Sequence, residues 1–159
     1  MRLVTASANF VYICNMDDVY YMRQALSEAQ VAASKEEVPI GAVIVCKGKI
    51  IARAHNLTET LNDPTAHAEM QAITSATESL GGKYLNDCTL YVTIEPCPMC
   101  AAALSWAQIG RLVFGAADDK RGCHLFSPSL LHPKTEVVEG VLKDECSALV
   151  SDFFKAKRR

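Results

Sequence analysis

An α/β protein with a mixed sheet covered by helices is what the sequence predicts, on three observations. The chain has 159 residues, 50% of them apolar and 21% charged, the size and balance of one compact domain around one core. Its local patterns read, in order, as helix, strand, strand, helix, strand, helix, strand, a weaker strand and helix. The first two strands are joined by a tight turn and the later ones by helices, so antiparallel and parallel pairs must share the sheet.

Asp17 or Asp18 is placed to cap a first helix, in which Met22, Ala25, Leu26, Ala29 and Ala33 recur at helical spacing before Pro39. Residues 40–46 and 49–54 are β-prone runs around Lys47-Gly48, a hairpin signal. Asp63-Pro64-Thr65 breaks the chain, and a second helix is expected from 66 to 77, stopped by Gly81-Gly82. Residues 89–94 alternate as a strand, and Pro96 suits the first turn of a third helix running to about 108. A short strand at 111–115 precedes a long loop over 117–134, broken by Gly122, Pro128 and Pro133. A last strand at 135–138 and an amphipathic helix over 144–157 complete the pattern.

No repeat or low-complexity linker divides the chain, so residues 16–159 read as a single domain. Residues 1–15 read as a leader, disordered or not native, with Met16 before Asp17-Asp18 as an alternative start. No apolar run approaches the ~18 to 20 residues that span a bilayer. The seven cysteines are odd in number and no export signal precedes them, which argues against a disulfide framework and for a cytoplasmic location.

The net charge of −2 excludes general electrostatic attraction to nucleic acid. Its distribution is uneven. Lys155, Lys157, Arg158 and Arg159 gather four cations in five residues at the end of the last helix. They suit a helix C-terminus, where they complement the macrodipole, and they equally suit phosphates.

Two fragments carry chemistry: His67-Ala68-Glu69 and Pro96-Cys97-Pro98-Met99-Cys100, each at the start of a predicted helix. Cys97 and Cys100, three apart, can turn both thiols to one point in a first helical turn, where the helix N-terminus favours thiolate. A closed structural zinc site needs four ligands, and neither a second CxxC nor an HxxxH exists. His67 is the natural third ligand, and three leave the fourth tetrahedral position for water, the catalytic arrangement. Glu69, two residues beyond His67, is placed beside a metal to move protons. A redox CxxC is the competing reading of the cysteine pair. His55, His124 and His132 lack ligand spacing, as do the other five cysteines, which read as small buried residues.

The two fragments together resemble the H-x-E…P-C-x-x-C signature of the zinc-dependent nucleobase deaminases. Over residues 17–158 the chain is similar to bacterial tRNA-specific adenosine deaminases. The similar stretches are Val38-Pro39-Ile40-Gly41-Ala42-Val43, Asn56, Asp63-Pro64-Thr65-Ala66, Leu90-Tyr91-Val92-Thr93-Ile94-Glu95, Ile109-Gly110-Arg111, Val113-Phe114-Gly115-Ala116, and Asp144-Glu145-Cys146 to Phe153-Phe154. The resemblance implies a three-layer α/β/α cytidine-deaminase-like fold with a mixed five-stranded sheet. It implies one zinc ion per chain on His67, Cys97 and Cys100, with Glu69 as the proton shuttle. It also implies a homodimer. Asn56 matches the residue that hydrogen-bonds the base, and Asp118 falls in the loop near the nucleic-acid strand. The implied reaction is hydrolytic deamination of adenosine to inosine at the wobble position of a tRNA; the clustered charge of Lys155, Lys157, Arg158 and Arg159, apart from the resemblance, suggests that they meet the anticodon stem-loop. The alternatives are a deaminase of a free base or nucleoside (cytosine, guanine or cytidine) and, more remotely, a zinc-stabilised interaction module. The chain departs from the family at Ala117, where Arg is common. Gly122-Cys123-His124-Leu125-Phe126-Ser127-Pro128 also replaces a smaller, Ala/Gly-rich stretch.

Overall fold

Ala42, Ile44 and Cys46 belong to one cluster of buried side chains and Val43 and Val45 to another, the alternation of a strand covered on both faces. They lie on β1 (Gly41–Cys46) of a computed structural model that describes the backbone over residues 2–159 and side chains over residues 17–159. The leader read over residues 1–15 lies outside the residues described with side chains. Lys47 and Gly48, both at positive φ, make the two-residue turn into β2 (Lys49–His55). With β3 (Cys88–Ile94), β4 (Arg111–Ala116) and β5 (Glu136–Glu139) the sheet has five strands in the order β2-β1-β3-β4-β5. β1 is antiparallel to β2 and to β3, whereas β3–β4 and β4–β5 are parallel. The mixed sheet is as expected.

Helices α2 (Ala68–Leu80) and α3 (Pro98–Trp106) cover one face, through Ala68, Ala72, Ala76 and Leu104. Helices α1 (Arg2–Ser34) and α4 (Lys143–Lys157) cover the other, through Met22, Ala25, Leu26 and Cys146. The three layers are therefore α/β/α. At Gly41 a Cβ would run into the backbone of Ala25 and Ala29 in α1, so helix and strand meet almost backbone to backbone there.

Among the boundaries that differ from the sequence reading, three have a clear physical cause. Asp18 is no helix cap: it lies inside α1, is buried, and points its carboxylate at the sheet. α2 starts at Ala68 because His67 is still extended, with φ −69 and ψ 156. α3 ends at Trp106, and Gln108, with φ 54, turns the chain away before β4.

Candidate active site

β3 and β4 are parallel, so both deliver their C-terminal ends to the same edge of the sheet, where a cavity of ≈ 740 Å³ opens. β3 runs out at Ile94, and Glu95-Pro96-Cys97 leads directly into α3. Pro98, not Pro96 as the sequence suggests, starts that helix, its fixed φ suited to a position whose N–H would be unpaired anyway, while Pro96 lies before the N-cap. His67 stands at the N-cap of α2 and Cys97 at the N-cap of α3, so two helix starts converge on one point.

The donor atoms of His67, Cys97 and Cys100 all lie within 4.8 Å of one another, a group that could hold a metal ion. His67 Nδ1 is 3.6 Å from Cys97 Sγ and 3.5 Å from Cys100 Sγ. Cys100 is buried, and the other two are half-buried and face the cavity. Within this group protons are shared unevenly. The Cys97 thiol is pushed down to about 4 by the hydrogen bond from Cys100, with burial opposing and His67 assisting. Cys100, which donates that bond, is pushed up, and the imidazole is raised by its bond to Cys97. The downward shift favours the thiolate at Cys97, the form that binds cations.

Glu69, in the first turn of α2, lines the same cavity and is only 4% exposed. Burial raises its pKa above the usual carboxylate value, so it holds a proton more readily than a solvated glutamate. Asn56, just past β2, is buried on the cavity wall, where its Oδ1 accepts a bond from the Thr58 N–H at 3.2 Å. Asp118 also lines the cavity. Its Oδ1 accepts bonds from the Lys120 and Arg121 amides, both at 3.0 Å, and so shapes its own turn. Lys155, Lys157, Arg158 and Arg159 are exposed at the end of α4 and do not line the cavity; Val150, Ser151 and Phe154 of the same helix do.

Two carboxylates that spacing did not single out brace the walls. Glu37, fully buried, accepts from the Glu59 amide at 3.2 Å, the Thr60 amide at 2.6 Å and the Thr60 hydroxyl at 2.9 Å, fixing the turn after Asn56. Glu95 does the same for the turn after Asp118. In the sequence Glu37 sits in Lys35-Glu36-Glu37 and reads as a solvated charge; only Glu95, beside Pro96-Cys97, carried a hint in its neighbours.

A family model described as MafB19-like deaminase matches residues 16–158. The chain is 48% identical over 147 residues to a tRNA-specific adenosine deaminase of Bacillus subtilis, covering 89% of this chain and 91% of that protein. It is 46% identical over 144 residues to one of Agrobacterium fabrum, covering 87% and 95%. Among solved structures it is similar to one from a study of A-to-I editing by tRNA:A34 deaminases at the wobble position of transfer RNA. That match has a TM-score of 0.77 and 45% identity, over 82% of this chain and 98% of the other. A guanine deaminase from Nitrosomonas europaea shares the fold at 22% identity, with a TM-score of 0.72 over 85% of this chain and 83% of the other.

Proposed function

The chain belongs to the family of the tRNA-specific adenosine deaminases, and from that premise we propose that it converts adenosine to inosine at the wobble position of a tRNA, releasing ammonia. The observation that carries this reading is the three-donor group standing beside the buried Glu69 in one cavity.

The donor set fits zinc. Two tetrahedral zinc ligands, one sulfur at ~2.3 Å and one nitrogen at ~2.0 to 2.1 Å, lie about 3.5 Å apart. The two sulfur–nitrogen separations here are 3.5 and 3.6 Å. His67, Cys97 and Cys100 would hold the ion, one per chain. Bound there, zinc supplies a nucleophile at neutral pH by acidifying water.

The remaining work falls to the chain's own groups. Glu69 carries the two protons of the attacking water in turn, the first to N1 of the ring as the C6–O bond forms and the second to the departing amine as the C6–N6 bond breaks. Its raised pKa suits a group that must accept and then release a proton near neutrality. Asn56 hydrogen-bonds the edge of the base from the cavity wall. Asp118 orders the turn that meets the nucleic-acid strand, and Lys155, Lys157, Arg158 and Arg159 meet phosphates of the anticodon stem-loop.

Residues 16–159 form one deaminase domain behind a leader over 1–15, a division supported by the family match at 16–158. Trp106, 83% exposed at the end of α3, supports a homodimer that covers it. A cytoplasmic location suits the substrate, and no helix of the described residues is long and apolar enough to cross a membrane.

The test is to incubate the metal-replete protein with an anticodon stem-loop carrying A at the wobble position. Parallel reactions contain cytosine, guanine, cytidine and adenosine, and products are read by mass spectrometry. Inosine in the stem-loop is expected. Turnover confined to a free base or nucleoside would replace this reading with the alternative one.

A further inference from the structure

We infer that Glu95 and His124 form a clasp that seats the 118–121 wall of the cavity for a polynucleotide, which makes both of them positioning residues; the inference rests on the substrate reading above.

The Glu95 side chain is fully buried at the end of β3. Its Oε1 accepts the Asp118 N–H at 3.0 Å and its Oε2 accepts the His124 N–H at 2.7 Å. His124 Nδ1 lies 2.7 and 2.8 Å from the two oxygens. A carboxylate offers no proton, so Nδ1 is the donor. A carboxylate without water is costly unless its oxygens are filled with donors, and here every donor comes from the two ends of one turn. Inside that turn Gly122 sits where a Cβ would strike Glu95 Oε1, and its N–H bonds the Asp118 carbonyl at 2.9 Å. The Cys123 N–H reaches back to the Pro96 carbonyl at 3.0 Å.

The turn between these anchors carries Lys120 and Arg121 to the cavity. Pro96 alone separates Glu95 from Cys97, so one short stretch sets both the donor group and the place of the two cations. A polyanion that meets a wall already in place is spared the cost of ordering it, whereas a free base has no phosphates for those cations to meet. His124 lies in the segment where the sequence departs from the Ala/Gly-rich stretch of the resembling enzymes. The imidazole is thus an additional latch on the backbone bonds to Glu95.

The experiment compares the full native chain with His124→Ala and with His124→Asn, whose amide nitrogen can stand where Nδ1 stood. Two quantities are measured: the rate of tryptic cleavage after Lys120 and Arg121, located by mass spectrometry, and KM and kcat on the wobble-A stem-loop. The Ala variant should be cut about tenfold faster at those bonds and show a KM about tenfold higher, with kcat falling less than twofold; Asn should recover most of both. Equal cleavage and equal KM in the native and Ala proteins would overturn the clasp, as would an Asn variant no better than Ala. If the native chain leaves the stem-loop untouched, the substrate reading fails and the cleavage comparison alone decides the clasp. Should the Ala variant melt early, hydrogen exchange of the native protein decides it. The Asp118 and His124 amides should then exchange as slowly as those of β4, and exchange as fast as at exposed loop amides overturns the inference.

Discussion

Arg111 forks across both carboxylate oxygens of Asp18, Nη1 to Oδ1 at 2.7 Å and Nη2 to Oδ2 at 2.8 Å, joining α1 to β4. The Tyr91 hydroxyl of β3 donates to the same Oδ1 at 2.8 Å, so three elements share one carboxylate. The two partners differ in their access to water: the Asp18 side chain is 5% exposed and that of Arg111 23%. Arg111→Met strands a buried carboxylate and should cost about 3 to 5 kcal/mol. Asp18→Asn leaves a guanidinium that can reach solvent and should cost about half as much. Urea unfolding of the two variants checks the order.

Glu37 predicts a pH dependence of stability. Burial pushes its pKa up, but the bonds from Thr60, Glu59 and Thr58 outweigh burial and hold it below the ordinary 4.5. A pKa depressed by folding stabilises the protein above the unfolded value, and that contribution is lost as pH falls through the folded value. Glu37→Gln should therefore lower the melting temperature at pH 7. The gap to the native protein should narrow as the pH falls from 4.5 through the lower folded value, which melting curves from pH 7 to pH 3 will show.

Glu69→Gln should keep the metal and lose turnover. General acid–base catalysis is worth roughly 10² to 10⁴-fold, and a residue serving several proton transfers can exceed that. The Cys97→Ala/Cys100→Ala double variant should instead lose zinc. Removing zinc with a chelator should lower the melting temperature, because the donors tie two helices together. Elemental analysis beside single-turnover rates separates the two kinds of loss.

Neutralising Lys155, Lys157, Arg158 and Arg159 should weaken stem-loop binding while leaving zinc content unchanged. The slope of log affinity against log salt should become shallower, by up to ~0.7 for each single-strand phosphate contact removed. A salt titration of both proteins measures it. Lys157 lies 4.9 Å from the centre of the Phe153 ring.

What the sequence made legible has a physical pattern. His67, Cys97 and Cys100 could be grouped in advance because Cys-x-x-Cys and His-x-Glu each read as the start of a helix and are suited to one ion, and the fold does bring the three donor atoms within 4.8 Å of one another. The strands were legible because Ala42 to Cys46 and Leu90 to Val92 alternate between two buried faces. Asp18 was misread as a cap because its partners, Tyr91 and Arg111, lie 73 and 93 residues away. Glu37 and Glu95 escaped notice for the same reason: each binds backbone groups more than 20 residues distant, and such groups carry no residue-type signal. Helix ends shifted by two residues where a single φ, as at Gln108, decided the turn.

His67 and Cys97 occupy the N-caps of α2 and α3, and neither side chain bonds a backbone N–H of its helix. A serine or aspartate at such a position ordinarily adds ~1 kcal/mol to a helix. The metal-free chain thus forgoes that gain twice, at the two places where its donors must stand. Without the metal, helix capping and donor chemistry pull in opposite directions there. Cys97→Ser or His67→Asp should melt later than the metal-free native chain and deaminate nothing. Only in the absence of zinc would selection for heat resistance drift toward those residues; with zinc bound, the stability and the turnover it brings both hold histidine and cysteine in place.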